Sequence, residues 1–232
     1  IDYLIMMISA LLGPDAVFEP GRTILVLDEI QECPQARTAL KFFKMDGRFD
    51  VIGTGSLLGV QGYGKEPASV PVGYETVIDM FPLDFEEFLW ANNIQQPVIS
   101  LLKNCLAEET PVPEALHSRL WQLMLQYTIV GGMPAVVQTF VDSRQMNHVL
   151  QMQRDIIRSY EDDMVKYAES KDKSLIRECF QSIPRQLGKE NKKFQFSVIR
   201  KGATSSKYEG SLQWIEDAGI ITRCYNLSIT EL

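Results

Sequence analysis

The sequence predicts an α/β chain that opens as a partial sheet, turns wholly helical and then changes character again. Three observations carry this. Residues 23–27 are a short run of β-branched and apolar residues that stops abruptly at Asp28-Glu29. Up to residue 91 the order strand, helix, strand, loop, strand, helix is the rhythm of an open sheet, whereas every periodic segment of residues 97–170 is helical. The charge balance also changes sign: residues 1–172 hold 13 Lys and Arg against 24 Asp and Glu, residues 173–232 hold 10 against 6. The expected division is 1–92, 93–172 and 173–232.

Taken in order, residues 1–12 read as a helix closed by Gly13-Pro14-Asp15. Pro20-Gly21 marks a turn before the first strand, whose apolar character suits a central parallel strand buried on both faces. Residues 34–45 show helical spacing up to Asp46-Gly47, and residues 50–54 form a second strand. The stretch 55–73 is rich in Gly, Pro and Ser; loops of that length are usually functional or disordered. Residues 74–80 read as a third strand and 82–91 as a helix with Pro82 in its first turn. Pro111-Val112-Pro113 and Gly131-Gly132-Met133-Pro134 break the helical stretch, and residues 145–169 form a long polar helix. Beyond it come a helix near 174–182, a second short one through Leu187, and a short strand at Phe194-Gln195-Phe196. A helix over 204–217, capped by Thr204 or Ser205, and a strand over 220–225 complete the chain.

Composition excludes several classes. At 232 residues, 45% hydrophobic and 23% charged, the chain can bury a real core. The apolar stretch of residues 3–12 is far shorter than the roughly 20 residues that cross a bilayer, so no membrane partner is expected. Cys33, Cys105, Cys179 and Cys224 form no C-x-x-C pair and fit the reduced thiols of a cytoplasmic protein. With His117 and His148 alone, a histidine-rich metal centre fails on supply. The chain starts at Ile1 rather than Met and both ends read as cut, so an excerpt of a longer protein is expected.

The sharpest chemical feature is the acidic pair at the end of the first strand. In doubly wound sheets, ligands bind beyond the carboxyl ends of the strands. A carboxylate there, Asp28, can hold Mg²⁺ through water, and a second one, Glu29, can polarise the water that attacks a phosphoryl group. The bland alternative is a buried strand leaving into solvent with two charges. The second strand ends in Gly53-Thr54-Gly55-Ser56, which brings hydroxyls to the same edge; the alternative there is a turn whose hydroxyls satisfy backbone groups. Gly59-Val60-Gln61-Gly62-Tyr63-Gly64-Lys65 fits the G-x-x-x-x-G-K frame of a phosphate loop, but Glu66 stands where Ser or Thr should follow. That frame is rejected.

Read together, LDEIQECPQARTALKFF, GSLLGV, PVGYETVIDMFPLDFEEFL and VGGMPAVVQTF resemble a prokaryotic AAA+ (P-loop) ATPase family whose members carry a carboxy-terminal domain of unknown function. The resemblance runs from about residue 23 to 225. It implies a partial P-loop AAA+ sheet, an all-α helical lid, and ATP and Mg²⁺ as cofactors. It further implies Asp28 as the Mg²⁺-side acid, Glu29 as the base, and Ser56, with Thr54 in reserve, as the residue sensing the γ-phosphate. Gly132 and Pro134 resemble a G-x-P motif that lies against the adenine; a plain helix-breaking turn is the alternative. Members often carry Arg before the glycine pair, where this chain has Val130, which leaves Arg119 and Arg154 as the substitutes to weigh. The family's phosphate loop is expected upstream of Ile1, so this stretch by itself should bind nucleotide weakly or not at all and be inactive as an ATPase. Relatives often form rings, so an oligomer is a further implied partner state.

The last 60 residues read helix, helix, helix, strand, which resembles a winged helix. Arg185, Lys189, Lys192, Lys193, Arg200, Lys201 and Lys207 face a single acid, Glu190, in that interval. Such a run suits phosphate contacts with DNA, with residues 204–214 as the recognition helix. A solvated basic face on a protein-binding or packing module is the alternative.

Overall fold

Strand β1 (Ile24–Leu27) pairs in parallel with β2 (Asp50–Gly53), in the register Ile24 to Asp50 through Leu27 to Gly53. The computed structural model describes residues 1–13, 15–56, 73–168 and 172–226. Parallel neighbours need a crossover. Here it runs through a 3-10 turn (Ile30–Glu32) and helix α2 (Pro34–Asp46), which has proline in its first turn and Gly47 at φ 71° after its last. Helix α1 (Asp2–Leu12) precedes β1 and buries none of its side chains.

The chain divides into two compact units, Ile1–Val77 with Glu161–Leu232, and Ile78–Tyr160. In the first, Phe43 and Phe49 are buried, and Arg37 of α2 donates to Glu75 at 3.0 Å while Lys41 lies over the Tyr74 ring. Two expectations fail here. Ile24 and Val26 are 58% and 61% exposed, so β1 is not buried on both faces. Among the described residues the sheet has two strands, and Val26 and its register partner Ile52 are 61% and 51% exposed. Residues 74–80 do not form a strand: Tyr74 and Glu75 are held by the side chains of α2, and among the described residues no backbone ladder reaches those that follow.

The second unit is helical: α3 (Phe85–Ala91), α4 (Gln96–Ala107), α5 (Glu114–Val130), α6 (Pro134–Ser143) and the first part of α7 (Met146–Tyr167). Helix α3 starts three residues after Pro82, not at it. Asp84 accepts from the Glu87 amide while the Glu87 carboxylate accepts from the Asp84 amide, both at 2.9 Å, and this reciprocal cap fixes the start. Phe88, Leu123, Val136 and Val149, all fully buried, form its core with Phe140 stacked on Phe88.

Residues 172–226 carry α8 (Lys173–Leu187), a 3-10 turn (Phe196–Val198) and α9 (Ser205–Asp217). Helix α8 is continuous where two helices are expected. Pro184 removes one backbone donor inside it, but Ile176, Cys179, Ser182 and Gln186 give it one unbroken buried face. Phe194 and Phe196 contact edge to face; Phe194 is irregular and Phe196 opens the 3-10 turn, so neither is in a strand. Residues 221–226 form no ladder either, because Arg223 is tied to Glu216, Glu209 and Gln213 of α9. The Arg223 hydrogen bonds hold the Glu216 carboxyl below the usual carboxylate range. No strand is found among the described residues of this part.

No helix among the described residues is long and apolar enough to cross a membrane.

A backbone clamp in the second unit gives a prediction. The Leu83 amide donates to the Gly132 carbonyl at 2.7 Å, and a Cβ on Gly132 would lie 2.1 Å from the Leu83 oxygen. Backbone cannot step aside as a side-chain tip can, so Gly132→Ala should cost about 1–3 kcal/mol, seen as a lower urea midpoint. Pro134→Ala, at an exposed first-turn position, should change that midpoint by much less.

Candidate functional site

Because β1 and β2 run parallel, the residues that follow them emerge at one edge. The pairing continues past the strands: the Thr54 amide donates to the Leu27 carbonyl at 3.0 Å, and the Ile30 amide to the Thr54 carbonyl at 2.9 Å. Ile30 is buried, and its Cδ1 lies 2.9 Å from where a Cβ on Gly53 would be. The turn after β1 thus packs its Ile30 side chain against the end of β2.

This frame fixes Asp28. Its Oδ1 accepts from the Thr54 hydroxyl and from the Glu29 amide, the latter at 3.1 Å. Its Oδ2 has no protein partner among the described residues. Glu29 sits in the left-handed region, φ 49° and ψ 48°, at a cost of about 1–2 kcal/mol for a residue with a Cβ. That conformation turns the chain into the 3-10 turn, so that Gln31 reaches back and its Nε2 donates to Glu29 Oε2. Glu29 Oε1, like Asp28 Oδ2, stays free of protein partners among the described residues. Both acids are exposed.

Gln31 is 8% exposed, and its Oε1 is a buried acceptor without a partner among the described residues. An orphaned acceptor costs about 1–3 kcal/mol. A hydrogen bond to an ionised carboxylate is roughly twice as strong as a neutral one and offsets part of that. Turning the amide over would aim its oxygen at the carboxylate, so charge fixes its orientation.

The donor set is all oxygen: one carboxylate beside a hydroxyl, and a second carboxylate one residue on. Among the described residues no group of three or more His, Cys, Asp or Glu could enclose a metal ion. A hard cation that keeps its waters and takes one or two carboxylates, with the rest from phosphate oxygens, suits such a set. Mg²⁺ binds in that way.

The other candidates are placed as follows. Ser56 is exposed, two residues beyond Thr54. Gly132 and Pro134 belong to the turn between α5 and α6 in the second unit. That turn is held by the Leu83 amide, and the Leu83 carbonyl in turn accepts from the Tyr127 hydroxyl at 2.8 Å. Burial, with Asp84 and Glu87 nearby, pushes the Tyr127 phenol up. Arg185, Lys189, Lys192, Lys193, Arg200, Lys201 and Lys207 are all exposed. Of these, Arg200 pairs with Glu178 at 3.3 Å, and Arg200 and Lys207 both lie over the Tyr208 ring. The Gly59 to Lys65 frame lies outside the described residues. Sequence reasoning did not single out Gln31; its place two residues after Glu29 is the signal the sequence offers, and its burial is seen only in the structure.

Residues 6–89 match the family model of an AAA domain. The match supports an AAA-type, ATPase-like, nucleotide-binding domain, and it runs from α1 to α3 with Asp28, Glu29 and Thr54 inside it. Residues 122–232 match a second model, a domain of unknown function (DUF8612). No curated protein and no solved structure matches the chain.

The Thr54 hydroxyl is the side-chain link between the two strand ends. Thr54→Val keeps the shape and removes the donor, so it should lower the urea midpoint slightly, while Thr54→Ser should keep it.

Proposed function

We propose that the AAA-type domain hydrolyses ATP with Mg²⁺ and that the hydrolysis drives a conformational switch. The observation that carries this is the pair of carboxylates at the parallel strand ends, each with one oxygen tied to the protein and the other open. Asp28, oriented by Thr54, would hold Mg²⁺ through water. When bound, the ion would neutralise charge on the phosphates. Glu29 takes a proton from a water molecule, the water oxygen bonds to the γ-phosphorus, and the bridging oxygen leaves with ADP. Thr54 and Ser56 follow β2 closely enough in sequence for one of them to sense the γ-phosphate, and the Thr54 bond to Asp28 favours Thr54 as the link between sensing and metal holding.

The test is Glu29→Gln in the full natural protein. It should keep ATP affinity, hold ATP bound, and lower kcat by roughly 100-fold or more, since a positioned base contributes about 10²–10⁴. Parent-level turnover in that variant would remove the proposal.

A second reading is supported by the basic interval. Seven cations are exposed on and around α8 and α9, in a region read from sequence as a winged helix. This reading assigns them to DNA phosphates. Binding should then weaken linearly on a logarithmic salt scale, and each lysine that touches a phosphate should contribute a slope of about 0.9. Replacing Lys189, Lys192 and Lys193 by Ala should flatten the slope; an unchanged slope counts against the reading.

A further inference from the structure

Among the described residues, the buried side-chain amides set a standard against which one stands out. Asn92 is satisfied at both ends: its Nδ2 donates to the Phe88 carbonyl and its Oδ1 accepts from Arg144. Gln186 is satisfied as well, with its Nε2 on the Ser182 hydroxyl and its Oε1 accepting from the Gln195 amide at 2.7 Å. Such groups hold a fold together, and removing them leaves partners unpaired. Gln31 differs. Its oxygen has no partner, and its nitrogen serves one group, the exposed carboxylate of Glu29. As a packing residue it is poorly chosen, because methionine would fill the same volume without an unpaired oxygen.

We infer that Gln31 is a positioning residue for the Glu29 carboxylate, holding Oε2 so that Oε1 is presented to the attacking water. This rests on the reading of Glu29 as the base. Two features of the backbone agree with it. Glu29 is in the left-handed region, which brings a side chain two residues later back toward its own. The turn between them is anchored on the inner side by buried Ile30, packed against Gly53, so the amide approaches from a fixed wall. A free glutamate on an exposed turn samples several rotamers. One bond from a buried donor removes most of them and leaves the second oxygen to accept a proton.

Four variants of the full natural protein test this: Glu29→Gln, Gln31→Met, Gln31→Glu, and Glu29→Gln with Gln31→Met. Gln31→Met should lower kcat by about 10–100-fold, the usual cost of losing a group that orients a reacting one. The KM for ATP should stay within about twofold, since the uniform part of binding is untouched. Its urea midpoint should be unchanged or higher, because the orphaned oxygen is gone. Gln31→Glu has the shape of the parent and a like charge in place of the donor, so its kcat should fall further. On the Glu29→Gln background, Gln31→Met should cause no additional loss.

Full activity in Gln31→Met or Gln31→Glu overturns the inference. So does a fall in midpoint, or failure to fold, in Gln31→Met, since the amide would then be a structural group like Gln186. If Glu29→Gln turns over like the parent, the assignment of the base has failed first. If Glu29→Gln is inactive and Gln31→Met is not, only the role of Gln31 is lost.

Discussion

The acid pair owes its geometry to the parallel pairing of two four-residue strands and to the two backbone bonds that prolong it. Asp28 and Thr54 are 26 positions apart in the chain and meet because Leu27 and Thr54, then Thr54 and Ile30, continue the ladder beyond the last strand residues. Parallel strands put their carboxyl ends at one edge, and backbone there that no longer pairs in the sheet is free to turn and present side chains. At that turn the Ile30 side chain lies close against Gly53. A Cβ at residue 53 would meet the tip of the Ile30 side chain, which would have to shift.

Elsewhere the packing is organised by satisfied polar groups inside apolar faces. In the second unit, Tyr127, Leu83 and Gly132 form a chain from side-chain hydroxyl to carbonyl and from amide to carbonyl, while Phe88 packs against Tyr127 and Phe140. Between α8 and α9, Tyr208 is fully buried and donates to Glu178, and burial together with that carboxylate pushes its phenol up. Burial also raises the Cys179 thiol to about 11, so on α8 it behaves as a small apolar group.

Much of this was legible in the residues, for definable reasons. The helices and the two strands follow from period and punctuation: Gly13, Gly47, the Pro111-Val112-Pro113 break and the Gly131-Gly132 break fall where the sequence places them. The acid pair could be located because a short apolar run ending in two charges fits few arrangements other than a strand leaving a sheet. The misreadings share a cause. Residues 74–80 and 220–225 alternate like strands, yet a strand is a pairing, and alternation does not reveal that Arg37 would hold Glu75 or that Glu216 would hold Arg223. The burial of β1 was overestimated because apolar content says what could be covered, not what is. Residues 174–187 read as two helices because sequence does not reveal the continuous buried face that joins them across Pro184. Gln31 escaped notice because its interest lies in an unpaired oxygen, and pairing is visible only in three dimensions.

The left-handed backbone at Glu29 has a consequence for how this chain can change over time. Glycine adopts that conformation freely and asparagine nearly so, which means that the residue present is among the less comfortable ones for its own dihedral angles. Laboratory evolution that rewards heat resistance alone would therefore drift toward glycine or asparagine at this position and silently discard the carboxylate. A lineage that keeps glutamate in such a place is accepting a weaker fold in exchange for an acid on the turn.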